Sequence, residues 1–182
     1  MSMDIEASDE KLAELLLLIA DGLRDEPSAG ATKLNKLAFY AEFTHFRTTG
    51  RPITGVEYQR LPNGPAPRRL LPVRERLLAE GHAEIREESY LGHVQHRLAP
   101  KRAPNAGVFS KSELSAINEV LTALGDMSGS ALSELSHQEP VWNLVADGDT
   151  IPFETALLRS GRPGPRAVER GRRIAAQYKA SR

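Results

Sequence analysis

Apolar positions in this 182-residue chain recur at two different periods, and the switches between them mark out its elements. Leu12, Leu15, Leu16, Ile19 and Leu23 form one stripe at helical spacing, which predicts a helix over Ser8–Arg24. Asp9 and Glu10 suit the positive end of its dipole. The stretch Thr32–Phe46 is different. Leu34, Leu37, Ala38 and Ala41 follow the i, i+3, i+4, i+7 pattern, and Phe39, Tyr40, Phe43 and Phe46 fill most of the remaining circumference. A helix that is apolar nearly all round belongs at the centre of a bundle. Four of the nine Phe and Tyr residues sit here, so the core is expected to form around it. Thr32 is the expected N-cap, and Gly50 and Pro52 the stop.

Beyond this helix, Pro52–Pro67 is rich in Pro and Gly. Val56, Tyr58 and Arg60 alternate as in a short strand, and Pro62-Asn63-Gly64-Pro65 must turn. Arg68–Glu80 reads as a third helix with Leu70, Val73, Leu77 and Leu78 inward and Gly81 at its end. The period then drops to two. Ala83, Ile85 and Glu87, and after them Val94, His96 and Leu98, predict a β-hairpin over about 83–98 that turns near Ser89–Gly92. After a linker, Lys101–Gly107, Ser110 and Glu113 form a capping box. Leu114, Ile117, Leu121 and Leu124 supply the stripe of a fourth helix that Gly125 closes. Ser128 caps a fifth helix through His137, with Leu132 and Leu135 inward. Pro140–Leu144 turns around the only tryptophan, Trp142, and Pro152 opens a helix over Phe153–Ser160. Gly161–Pro165 breaks the chain before a last basic helix over Ala167–Lys179. The expected fold is mainly α (α+β): a compact helical bundle around the buried helix 32–46, with a small hairpin. Residues 1–160 form the helical domain and 161–182 a basic tail.

Composition narrows the chemistry. With 40% hydrophobic and 26% charged residues the chain can bury a core of ordinary size. It has no cysteine, so disulfides and thiolate chemistry are excluded. Its longest apolar run, Leu15–Ala20, is too short to span a bilayer, and the acidic start lacks the basic region of a signal peptide, so a cytoplasmic protein is expected. The zero net charge hides an asymmetry: Met1–Gly30 has eight acidic residues against two basic, and Arg159–Arg182 eight basic against one acidic. The simpler reading is a pair of solvated ends of opposite sign. The sharper one is a tail for nucleic acid, against which stands its single aromatic, Tyr178.

No catalytic constellation stands out. His93 and His96 fall on opposite faces of a strand, and His82 and His137 do not complete a metal-ligand spacing, so neither metal nor cofactor is expected. Ser136, His137 and Glu139 offer a hydroxyl, an imidazole and a carboxylate, but neighbours on a helix do not face one another. Asn63-Gly64-Pro65 lacks the glycines and lysine of a phosphate loop.

Three blocks together resemble a known family. The first is Lys33-Leu34-Asn35-Lys36-Leu37-Ala38-Phe39-Tyr40-Ala41 with Thr49-Gly50-Arg51-Pro52-Ile53 after it. The second is Tyr58 followed by Asn63-Gly64-Pro65. The third is Leu132-Ser133-Glu134-Leu135-Ser136-His137 with Glu139 and Trp142. Their order resembles the Panacea domain, also called the SocA-like or phage-associated GepA-like domain, and the likeness runs from about Ala7 to Arg159. The resemblance implies a mostly helical antitoxin without catalytic residues. Such a domain neutralises a protein toxin encoded by a neighbouring gene, by direct binding or as an adaptor that delivers it to a bacterial protease. Phe39 stands where the family often has Tyr, and Pro62 and Pro67 make the turn richer in proline. Trp142 is expected to plug the gap between the last helices. Tyr40, Tyr58, Arg60, Asn63 and His137, polar-tipped or at loop edges, are the expected partner-binding residues. Nucleic-acid binding through Arg159–Arg182 is the alternative function, and a small hydrolase or metal-dependent enzyme the third.

Overall fold

The computed structural model describes residues 6–158; the basic segment 159–182, with the helix expected over 167–179, lies outside the described residues. The first helix, α1 (Asp9–Gly22), starts where the Ser8 hydroxyl accepts from the Lys11 backbone N–H at 3.1 Å. Its stripe of Leu12, Leu15, Leu16 and Ile19 is wholly enclosed. The central helix, α2 (Ala31–Thr49), is longer than its apolar pattern at both ends. Gly30 is its N-cap, not Thr32: the cap lies two residues earlier, and Gly30 in an extended conformation makes the entry without a side-chain bond. Gly50 closes it in the left-handed conformation at φ 74°, with its N–H donating to Phe46 O. Around α2 pack α1, the fourth and fifth helices and both small sheets.

The Pro- and Gly-rich stretch folds as a tight hairpin. Strand β1 (Tyr58–Leu61) runs antiparallel to β2 (Gly64–Pro67), with Pro62 and Asn63 as the turn. A two-residue strand, β5 (Thr150–Ile151), pairs with the other side of β1, giving the order β2-β1-β5. Neither β2 nor β5 was expected from the sequence, since prolines and a two-residue ladder leave no alternation to read. Helix α3 (Leu70–Ala79) leads to the predicted hairpin, β3 (Ala83–Tyr90) with β4 (His93–Pro100). Its two-residue turn has positive φ at both Leu91 (49°) and Gly92 (80°), the primed turn that suits the twist of a hairpin. Helices α4 (Lys111–Leu124) and α5 (Gly129–Gln138) follow the expected caps, and both bonds of the Ser110–Glu113 capping box form. A 3-10 turn, Pro140–Asn143, carries Trp142, and another, Phe153–Leu157, replaces the longer helix expected there. The fold is mixed α+β, mainly helical.

The interior has two parts. The larger joins the leucines of α1 and α2 to Val73, Leu77, Leu98, Ile117, Val120 and Leu132. The smaller is aromatic: Phe39, Phe43, Phe46 and Tyr58 with Val141, Ile151 and Ala156. Phe46 stacks on Phe153 at 5.6 Å between ring centroids and Phe43 packs tilted against it at 5.2 Å, so one face of α2 holds the turn Phe153–Leu157 in place. No helix of the described residues is long and apolar enough to cross a membrane.

Candidate functional site

Both lysines of the Lys33–Ala41 block are buried, against the usual fate of a charged side chain. Lys33 is enclosed and donates to the Ser28 hydroxyl at 3.0 Å, with the Glu26 carboxylate 3.6 Å away; burial lowers its pKa. Lys36, one turn further along α2, is only 1% exposed, and among the described residues no carboxylate pairs with it. Burial alone pushes its pKa down to about 8. Its ammonium donates to the backbone carbonyl of Asn63, the turn residue between β1 and β2. The next residue, Gly64, has φ 120°, and a Cβ there would meet the Lys36 ammonium and lie 3.6 Å from the Ser136 hydroxyl. The backbone thus requires glycine in the second block, at a positive φ that L side chains rarely adopt, and its lack of a Cβ leaves room for the lysine end of the first block. Ser136 of the third block, buried on α5, closes the same spot, its hydroxyl donating to Ser133 O at 2.9 Å. Three blocks distant in sequence meet at one point on α2.

Outward from this point the side chains become accessible. Arg60, half-buried on β1, places its guanidinium carbon 4.6 Å from the centroid of the Trp142 ring. It also donates to Val145 O at 2.5 Å and pairs with Asp147 at 3.2 Å. The exposed imidazole of His137 lies on the same tryptophan, 4.5 Å between centroids. Arg60, Trp142 and His137 therefore form one stack that joins β1, the Pro140–Asn143 turn and the end of α5. Asn63 is exposed at the adjoining turn, so its side chain faces solvent while its carbonyl is held by Lys36.

Tyr40 lines a narrow cavity of about 20 Å³ between α2 and the C-terminal turns, with Arg47, Glu139 and Thr155 among its polar walls. Its hydroxyl is buried without a hydrogen-bond partner among the described residues. Burial, and then the Glu139 charge, push its pKa up. Tyr58 is elsewhere than its polar tip suggests. It is fully enclosed, its ring edge-on to Phe39 at 5.7 Å and Phe43 at 6.0 Å. The alternation of β1 turns Tyr58 towards α2, so it shapes the site from within. Of the five residues expected at a partner surface, the structure brings Arg60, Asn63 and His137 to one rim, puts Tyr40 in the cavity, and withdraws Tyr58 into the core. The sequence reading missed Lys36, Ser136 and the participation of Trp142 in the stack. A buried lysine at apolar spacing was the one signal available for Lys36.

Other buried polar groups serve the framework. Glu42 on α2 accepts from the backbone N–H of Ile53 at 2.6 Å and of Thr54 at 3.0 Å, and from the Thr54 hydroxyl. Burial raises its pKa to about 7 against those bonds. His45 bonds Arg51 O at 2.7 Å and the Ser112 hydroxyl at 3.1 Å. His82 and His96 lie beside single carboxylates, Glu80 and Glu87, and among the described residues no three His, Cys, Asp or Glu side chains gather as a metal site.

Residues 34–143 match the family model described as antitoxin SocA-like, Panacea domain. No curated protein and no solved structure matches the chain. The matched span begins inside the first block on α2 and ends just after Trp142, and it includes Lys36, Arg60, Asn63, Gly64 and His137.

Proposed function

Because the chain belongs to the SocA-like Panacea family of antitoxin domains, we propose that it binds a protein toxin encoded by a neighbouring gene and neutralises it. The observation that carries this reading is the meeting of the three sequence blocks at one place, with a stacked Arg60–Trp142–His137 rim facing outward. Trp and Arg are the side chains that most often dominate binding energy at protein interfaces, and here each orders the other before any partner arrives. Arg60, Asn63 and His137 are the proposed contact residues, and Tyr40 the group behind them. Lys36 acts as a positioning residue by holding the Asn63–Gly64 turn. Nothing in this arrangement pairs a nucleophile with a base, so binding, not turnover, is the proposed activity. Neutralisation follows either from occlusion of the toxin or from its delivery to a protease in the cytoplasm.

The test is growth rescue. Each neighbouring open reading frame is expressed with and without this protein. The expected result is one toxic neighbour whose effect the chain abolishes. Trp142→Ala and Arg60→Ala should each weaken binding of the purified toxin by about tenfold to a hundredfold while melting as folded proteins. No toxic neighbour, or full rescue and unchanged affinity with both variants, removes the reading or its site. The toxin level during rescue separates the two modes: unchanged for occlusion, falling for delivery to a protease. The basic segment 159–182 supports a second reading, nucleic-acid binding, whose signature is a steep loss of affinity with salt.

A further inference from the structure

The two small sheets treat their edges in opposite ways. In the β1–β2 hairpin the Arg68 N–H donates to Glu57 O at 2.9 Å, so the ladder bonds fall at Gln59–Ala66 and Leu61–Gly64. Pro65 and Pro67 then hold the outward positions of β2, where neither has an N–H to offer. That edge is closed. In the β3–β4 hairpin the Lys101 N–H donates to His82 O at 2.8 Å, which sets the bonded pairs at Glu84–Ala99, Arg86–Arg97, Glu88–Gln95 and Tyr90–His93. Ile85, Glu87 and Ser89 therefore turn their backbone groups away from β4, and none of these groups finds a hydrogen-bond partner among the described residues. No proline interrupts β3. Close to this open edge stand exposed apolar side chains, Ile85, Leu91 and Val94, the last two 80% and 69% exposed.

The charges along β3 select what can pair with it. On one face lie Glu84, Arg86 and Glu88 in order. We propose that the outer edge of β3 pairs antiparallel with β3 of a second copy of this chain, about a twofold axis through Glu87. In that register Arg86 of each copy lies opposite Glu88 of the other, and Ile85 opposite Ser89. The outward backbone groups of residues 85, 87 and 89 are then the ones that bond across the interface. Shifting the axis to Arg86 sets Arg86 against itself and Glu84 against Glu88, and shifting it to Glu88 sets that carboxylate against itself. An axis at Ile85 also sets Arg86 against a carboxylate, Glu84, but it draws the buried Ala83 into the contact; among the axes that leave Ala83 out, only the one at Glu87 pairs Arg86 with an opposite charge. Glu87 then meets its own copy, each carboxylate having His96 of the neighbouring strand β4 3.7 Å away. This keeps the contact weak and reversible. The result is a four-stranded sheet in place of a two-stranded hairpin, which by itself is marginal.

The absence of cysteine makes the register directly testable in the full chain. Directly opposed, hydrogen-bonded residues have Cα atoms about 5.5 Å apart, inside the range of about 4.4–6.8 Å that a disulfide needs. Glu87→Cys should form a disulfide-linked dimer under mild oxidation about tenfold faster than Ser89→Cys, whose own copy is out of register. A mixture of Ile85→Cys and Ser89→Cys chains should link to each other. Light scattering on the unmodified chain should show mass rising towards the dimer with concentration. Arg86→Glu, at an exposed side chain whose partner within the chain is the surface carboxylate of Glu84, should raise the dimer dissociation constant about tenfold while the variant melts as a folded protein. Glu87→Cys linking no faster than Ser89→Cys, with monomer mass at every concentration, overturns the proposal. So does protection of the Ile85–Ser89 amides that appears only when the toxin is present, which assigns the edge to that partner. Growth rescue is scored separately, so failure here leaves the antitoxin reading standing.

Discussion

Lys36 and Glu42 are buried ionisable groups six residues apart on one helix, and burial moves them in opposite directions. For Lys36 the folded pKa is depressed, to about 8 from 10.5. Its contribution to stability is present above the unfolded value and is lost as pH falls through the folded one. Chemical denaturation between pH 8 and 10 should therefore show stability rising with pH in the native chain, with the rise reduced in Lys36→Met. Glu42 has a raised folded pKa, about 7 against 4.5. Its contribution is present below 4.5 and lost as pH rises through 7, so the native chain should lose stability relative to Glu42→Gln between pH 5 and 8. Tyr40→Phe separates structure from function. Its hydroxyl is buried and has no hydrogen-bond partner among the described residues, so removal should leave the melting temperature unchanged or slightly higher. Weakened toxin binding by the same variant would place that hydroxyl in the interface, and unchanged binding would leave Tyr40 as packing.

At the scale of elements, the β1–β2 hairpin decides the shape of the site. It holds Arg60 and Asn63 at the rim because Gly64 admits the Lys36 ammonium where a Cβ would collide. Gly64→Ala should cost about 2 kcal/mol, from strain at positive φ and displacement of the lysine, and lower Tm by roughly 6 °C. It should weaken toxin binding as well, since it moves the turn. The cap of α4 is remote from the rim and provides the contrast. Ser110→Ala removes the acceptor for the Glu113 N–H and should cost about 1 kcal/mol with no change in binding. The helices and the β3–β4 hairpin were legible because their periods of 3.6 and 2 persist over eight residues or more. Strands β2 and β5 were not. One is Gly-Pro-Ala-Pro and the other two residues long, and both exist only because β1 lies between them.

For the whole molecule, the family match covers residues 34–143, whereas the charged segment 159–182 lies beyond it. If the toxin binds at the Arg60–Trp142–His137 rim, a chain ending at residue 158 should rescue growth as well as the full one. Loss of rescue on truncation would move the interface into the basic segment. Any nucleic-acid affinity of the full chain should disappear with the same truncation and fall steeply with salt beforehand.

What the sequence determined by itself was the order of helices, the hairpin, the caps of α4 and α5 and the three blocks that mark the family. Each of these rests on residues close together in the chain, where propensity and periodicity act. Tertiary structure alone decided which polar residues went inside. Lys36 and Tyr58 carry polar ends that a linear pattern assigns to the surface, yet α2 is enclosed on nearly every side and β1 directs Tyr58 against it. Tertiary structure also decided that Arg60, His137 and Trp142, more than 70 residues apart at the extremes, share one stack. Contacts of that range depend on how a hairpin, a helix end and a 3-10 turn pack on the same central helix, and no local rule of the chain encodes that packing.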